Sequence, residues 1–244
     1  MTIIWKSNNN KRSDNFEKIK TFLKERKKEN PNYKILDAGG AVNPWASEYT
    51  DAYLDIQDVP GKRVITGDIQ SPEVWKKVNE ENFDFIICSH TLEDIKNPGF
   101  VIEKILENCK EGFISIPNKH TEMSHVESLK YLGYCHHQYM FMMKDDTLFA
   151  IRKFVLLHNF IKPINFLPGM ESISKLFKKL SGKTLLMNPS SSNLSWVDKS
   201  INNHEYELAF LWKDKFDFKY LNDDFLSKAD KYLNVIKKEM QDGL

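Results

Sequence analysis

Residues 33–40, YKILDAGG, decide the fold. A short apolar run built on Tyr33, Ile35 and Leu36 ends in Asp37, Ala38, Gly39 and Gly40, the pattern of a buried strand entering a tight turn. Upstream, Asn15–Lys28 carries Phe16, Ile19, Phe22 and Leu23 at helical spacing, and Asn30-Pro31-Asn32 ends it. Downstream, short strands are expected at Ala52–Ile56, Arg63–Thr66, Phe83–Cys88 and Gly112–Pro117. Helical segments fall between them at Pro72–Val78 and Pro98–Cys109, the latter with proline at its first turn. Strands alternating with helices at this spacing predict an α/β fold with a parallel, doubly wound sheet. Ligands of such sheets bind at the carboxyl ends of the strands.

At 244 residues the chain reads as one elaborated domain, with a cofactor-binding core over 14–118 and an acceptor-side part over 119–244. Lys+Arg is 35 against Asp+Glu 34, which argues against non-specific nucleic-acid binding. Cys88, Cys109 and Cys135 have no CxxC spacing, so a reducing, cytoplasmic setting is expected. No apolar run reaches the ~18 residues of a membrane span, and the opening MTIIWKSNNNKR has no leader-like apolar region. Beyond Asn118 the pattern changes to a hairpin (Tyr139–Met143 and Thr147–Ile151), a basic amphipathic stretch (Ile173–Leu180), a late strand (Glu205–Trp212) and a C-terminal helix (Asp223–Met240). Tyr131, Tyr134, Tyr139, Phe141 and Trp212 are candidate lining of an acceptor pocket.

A nucleoside cofactor at a sheet edge needs close backbone approach after the first strand, a carboxylate for the ribose after the second, and a polar group after the third. Asp37-Ala38-Gly39-Gly40, Asp55 and Gly67-Asp68 supply these in order, Asp55 lying 18 positions after Asp37. The G-x-G-x-x-G expected of a nicotinamide dehydrogenase is absent. The stretches ILDAGGAVNP, YLDI, GDI, FDFIICSHTLEDIKNP and EGFISIPN, spanning Lys34 to Asn118, resemble the class I S-adenosylmethionine-dependent methyltransferases, in particular the bacterial type 11 group. The resemblance implies a Rossmann-like methyltransferase sheet. It assigns cofactor contacts to Asp37, Gly39 and Gly40, to Asp55 with Ile56, to Asp68 with Ile69, and to Ser89. Asn43-Pro44 departs from the spaced glycines usual in the first motif.

A second constellation sits after the later strands: His90, Glu93 and Asp94, then His120, Glu122 and His125, then His136 and His137. Histidine and carboxylate side chains there can serve as general base or hold a metal. The segments His90-x-x-Glu93-Asp94, Ile116-Pro117-Asn118 and His136-His137-Gln138-Tyr139-Met140-Phe141 resemble the metal-binding pattern of the small-RNA 2′-O-methyltransferases. By that resemblance His90, Glu93, Asp94 and His137 bind a divalent Mn²⁺, Mg²⁺ or Fe²⁺. Without metal, His136 or His137 acts as base.

GYCHHQYMF and ELAFLW resemble a type 11 subset associated with bacterial surface-polysaccharide (capsule) biosynthesis. The function expected is O-methylation of a small polar acceptor: a sugar, a phosphoramidate or a nucleotide-linked intermediate. An RNA 2′-O-methyltransferase and a non-catalytic scaffold of the same fold are the alternatives. Four arginines and a balanced charge count against an RNA enzyme. No oligomeric state follows from the sequence.

Overall fold

Phe85 and Ile87 pack into one core, Ile86 and Cys88 into another, and all four are fully buried. Such period-two division with both faces covered belongs to a central strand between helical layers. In the structure, a computed structural model, residues 2–122, 133–144, 146–153, 183–187, 194–198 and 206–221 are described. The elements in chain order are β1 (Thr2–Lys11), α1 (Arg12–Glu29), β2 (Ile35–Ala38), β3 (Ala52–Asp55), β4 (Val64–Thr66), α2 (Pro72–Glu81), β5 (Phe85–Ser89), α3 (Pro98–Asn108) and β6 (Glu111–Pro117). They continue with α4 (Lys119–Glu122), β7 (Tyr139–Lys144), β8 (Thr147–Arg152), β9 (Lys183–Met187), β10 (Leu194–Asp198), β11 (Tyr206–Lys213) and β12 (Asp217–Tyr220).

The main sheet has seven strands in the order β1-β11-β6-β5-β2-β3-β4. Strands β2 to β6 run parallel, β11 is antiparallel to β6, and β1 is antiparallel to β11. The fold is therefore the α/β, doubly wound class expected from the alternation. From β2 the chain steps outward through β3 and β4, then returns to β5 on the other side of β2. A switch of this kind opens a crevice at the carboxyl ends of the two strands, here β2 and β5.

Helix α1 covers one face, burying Ile19 and Leu23 against Ile35, Phe85, Ile87 and Phe113. Helices α2 and α3 cover the other, with Trp75, Val78, Val101 and Ile105 in the second core. A three-stranded sheet, β12-β8-β7, joins that second core through Tyr139, Phe141, Leu148 and Ala150. It docks on the start of α3, where the Tyr220 hydroxyl accepts from Gly99 N at 2.9 Å.

One element is added and one expectation is corrected. Residues 2–11 carry no strand signal because Lys6-Ser-Asn-Asn-Asn10 is polar, yet they form β1 on the sheet edge through backbone pairing with β11. Trp212 and Phe141 do not line a pocket: both are core residues, 0% and 1% exposed. Tyr131, His125, Ile173–Leu180 and Asp223–Met240 lie outside the described residues. No described helix is long and apolar enough to cross a membrane.

Candidate active site

The glycine turn packs on two side chains of its own chain. Gly39 has φ +93°, and a Cβ there would meet Thr91 Oγ1 at 2.2 Å. A Cβ on Gly40 would lie 2.3 Å from both carboxylate oxygens of Asp37. The turn is tied to β3 by Gly39 N donating to Leu54 O (2.8 Å) and Ala41 N donating to Asp55 Oδ2 (3.1 Å). Asp55 Oδ1 accepts from Gln57 N at 3.0 Å, and Lys62 Nζ donates to Ala41 O.

Asp37 is fully buried, and neither oxygen finds a hydrogen-bond partner among the described residues. Burial and the nearby charge of Asp55 raise its pKa to about 7, against the opposing pull of Lys62. A buried carboxylate without donors is costly unless something else supplies them, which fits a polar ligand seated in the turn.

Ser89, also expected at the cofactor, closes β5, and its hydroxyl pairs with Ser115 Oγ at 2.8 Å. Asp68 and Ile69 lie between β4 and α2. The exposed Asp68 accepts from Gln70 N at 2.8 Å, and Ile69 is buried with its carbonyl accepting from the Trp75 indole at 2.7 Å. The Ile56 side chain is 69% exposed.

Across the crevice, Thr91 Oγ1 donates to Ala38 O (3.3 Å) and links the two strand ends. The neighbouring residue, His90, has a left-handed φ of +51°, an unusual backbone for a non-glycine residue and a frequent mark of functional sites. His90 faces a cleft of about 250 Å³ lined with Arg12, Glu93, Asp94, Thr121, Tyr134, His136 and His137.

In that cleft His137 is 8% exposed and its Nδ1 lies 2.5 Å from Glu122 Oε1. The other Glu122 oxygen accepts from Lys153 Nζ at 2.5 Å, and Lys153 also donates to Tyr134 O at 2.8 Å. Gly133, with φ +61°, lets the loop pass close: a Cβ there would meet Glu122 Oε2 at 2.3 Å. With Nδ1 held by a carboxylate, Nε2 of His137 is oriented away from Glu122, 3.6 Å from Asp94 Oδ1. His136 is more exposed, with Nε2 3.9 Å from the same oxygen.

His90 is drawn elsewhere. Its Nε2 lies 2.5 Å from the fully buried Glu207, and Arg12 Nη2 sits against the ring. Glu93 Oε1 is 3.2 Å from His90 Nδ1 but lacks hydrogen-bond geometry, and Oε2 has no partner among the described residues. Burial alone would lower the His90 pKa. Glu207 and Glu93 outweigh it and raise the value to about 9, with Arg12 opposing. Asp94 is raised, first by desolvation and then by Glu93.

Of the four residues suggested as metal ligands, the structure keeps Asp94 and His137 together and turns His90 to Glu207. His136 joins instead: ligand atoms of Asp94, His136 and His137 lie within 4.8 Å of one another. Sequence reasoning missed Arg12 and Lys153, and it quoted Glu207 only as the first residue of ELAFLW and Glu122 only within the second constellation, without a partner for either. Arg12 and Lys153 sit in no local motif, and the contacts that join the four residues are long-range.

No protein-family model and no curated protein matches the chain. Solved structures similar to it include the methyltransferase domain of a bacterial protein, CtHen1-CN (11% identity, 82% of this chain and 99% of that one, TM-score 0.37). Others are the N-terminal domain of EvdMO1 with SAH bound (10%, 80% and 81%, TM-score 0.35) and the glycopeptide N-methyltransferase MtfA complexed with S-adenosyl-L-homocysteine (8%, 80% and 87%, TM-score 0.34). At such identities and TM-scores the likeness carries no residue role over to this chain.

Proposed function

We propose that this chain is an S-adenosylmethionine-dependent O-methyltransferase acting on a small polar acceptor, a sugar or nucleotide-linked intermediate of surface-polysaccharide synthesis. The observation that carries this reading is the pairing of two features on one crevice: the carboxylate of Asp37, without a hydrogen-bond partner among the described residues, under a glycine turn, and the Glu122–His137 pair in the adjoining cleft. Asp37, Gly39, Gly40 and Asp55 would hold the cofactor, whose sulfonium supplies an electrophilic methyl group.

Methyl transfer to a hydroxyl forms an O–CH₃ bond and releases the hydroxyl proton, which needs a base positioned in advance. His137 Nε2 takes that proton. Glu122 keeps the other ring nitrogen protonated and stabilises the imidazolium, and Lys153 holds Glu122 in place. Thr121, Tyr134 and His136 complete a polar lining suited to a hydroxylated acceptor.

Calorimetric titration with S-adenosylmethionine and S-adenosylhomocysteine tests the cofactor half; binding of neither would sink the reading. A divalent metal is the second reading, favoured by the mutual approach of Asp94, His136 and His137. Through Nε2, His137 can serve a metal or act as base, but not both at once. Metal analysis of tag-free protein followed by chelation decides between them, since the base reading expects full activity after stripping.

A further inference from the structure

The acids of the cleft are not all where an incoming acceptor meets them. The side chains of Glu207 and Glu93 are 0% and 1% exposed, whereas that of Arg12 is 36% exposed and lines the cleft. Asp94, the exposed carboxylate among the lining residues, faces His136 and His137. Among the described residues that line the cleft, Arg12 is thus the accessible permanent cation.

Its placement is built in from both sides. Arg12 Nε donates to Glu207 Oε1 at 2.6 Å, and the fully buried Asn15 donates to Glu207 Oε2 at 3.2 Å, so the anchoring carboxylate is held at both oxygens. Nη2 lies 2.7 Å from Nε2 and 3.1 Å from Nδ1 of His90. His90 Nε2 is 2.5 Å from Glu207 Oε1, so the ring serves that carboxylate and packs beside Arg12 rather than accepting from it. Arginine carries five N–H donors in a planar fork; the bond to Glu207 engages the Nε donor, and the exposed surface of the side chain belongs to the cleft. Arg12 opens α1, outside the turn formed by Asp37, Gly39 and Asp55.

We propose that Arg12 determines acceptor specificity by binding an anionic oxygen group, phosphate or carboxylate, carried by the acceptor. The proposal rests on the methyl-transfer reading insofar as that reading puts the acceptor in this cleft. A guanidinium fork pre-set by a buried carboxylate matches such groups bidentately, which a lysine ammonium cannot do. It narrows the acceptor class to phosphorylated sugars, nucleotide-linked sugars and sugar acids, and excludes neutral glycosides.

Inorganic phosphate and, separately, acetate are titrated into the full chain at constant ionic strength, with binding read by calorimetry. Wild type is expected to bind one or both, and whichever binds more tightly assigns phosphate or carboxylate. Arg12→Met should weaken that binding at least tenfold, and Arg12→Lys at least threefold. Absence of binding to wild type, or wild-type affinity in both variants, overturns the proposal. S-adenosylhomocysteine affinity is measured on the same proteins as the fold control, and Arg12→Lys decides the matter if Arg12→Met does not fold. Arg12-dependent anion binding in a chain that binds no S-adenosylhomocysteine would retain the anion site while removing the methyl-transfer reading.

Discussion

Nδ1 of His137 lies 2.5 Å from Oε1 of Glu122, and both side chains are almost wholly buried. Fifteen positions separate the two residues in the chain. They meet because α4 begins directly after β6, and because the segment ahead of β7 is pinned to the other side of the cleft, where Gln138 N donates to Glu93 O at 2.6 Å. A carboxylate on one ring nitrogen fixes the tautomer and leaves the other nitrogen as the base.

That geometry predicts the size of two losses. His137→Gln should lower turnover roughly 10²–10⁴-fold, the usual worth of a positioned general base. Glu122→Gln should cost less, because the ring and its Nε2 remain. In both, S-adenosylhomocysteine affinity should stay near wild type. Product formation over a panel of anionic and neutral sugar acceptors, with binding measured in parallel, checks the pair. Unchanged turnover in His137→Gln would remove it as the base.

Asp37 makes stability depend on pH. Its pKa rises from 3.8 in the unfolded chain to about 7 in the fold, so between those values the folded state holds a proton that the unfolded state has lost. Stability from this group therefore falls as pH rises from about 4 to 7 and is constant above. At about 1.4 kcal/mol per pKa unit, ionised Asp37 costs up to roughly 4 kcal/mol. Asp37→Asn should thus gain stability over wild type at pH 8 and little at pH 4, while losing cofactor affinity. Urea unfolding of both proteins at the two pH values measures the difference; a gap independent of pH would contradict the assignment.

His90 adds a second slope. Its folded pKa of about 9 stands above the ordinary 6.5, so its contribution is complete below about pH 6.5 and is lost as pH rises through 9. The full effect is on the order of 3 kcal/mol. The stability gap between wild type and His90→Gln should shrink steadily between pH 6 and pH 9.5. A nuclear magnetic resonance titration of the His90 ring gives the pKa directly, and a midpoint at or below 6.5 would refute the role of Glu207.

Gly40 and Asp37 should be coupled. Alanine at 40 places a methyl 2.3 Å from both Asp37 oxygens, and the buried carboxylate has little room to withdraw. Gly40→Ala should cost about 1–3 kcal/mol, the range of an overpacked site. In an Asp37→Ala background the same change should be nearly neutral. A double-mutant cycle by chemical denaturation reads this coupling, and additive losses would show that the clash is relieved elsewhere.

Much of the fold was legible because it rests on local periodicity. Each strand of the parallel core is a short apolar run, so β2 to β6 could be read within a residue or two of their ends, and α1 only three residues late. The turn at Gly39 was legible for the same reason, although the structure assigns its glycine requirement to Thr91 and Asp37. Strand β1 was not legible: its polar stretch has no alternation, and its pairing partner lies about two hundred residues away in β11. Trp212 and Phe141 were misread because an aromatic side chain looks the same in sequence whether it lines a pocket or fills a core.

By itself, then, the sequence determined the alternating α/β core and the order of acidic groups along its strand ends, since those follow from hydrophobic period and turn chemistry within a few residues. Only the tertiary structure decided which charges meet. Arg12 reaches Glu207 across 195 positions and His90 across 78, and Lys153 reaches Glu122 across 31. Such pairings are set by which strand ends share a crevice, and the raised pKa of His90, which Glu207 and Glu93 bring about against the cost of burial, exists only once the sheet has closed around it.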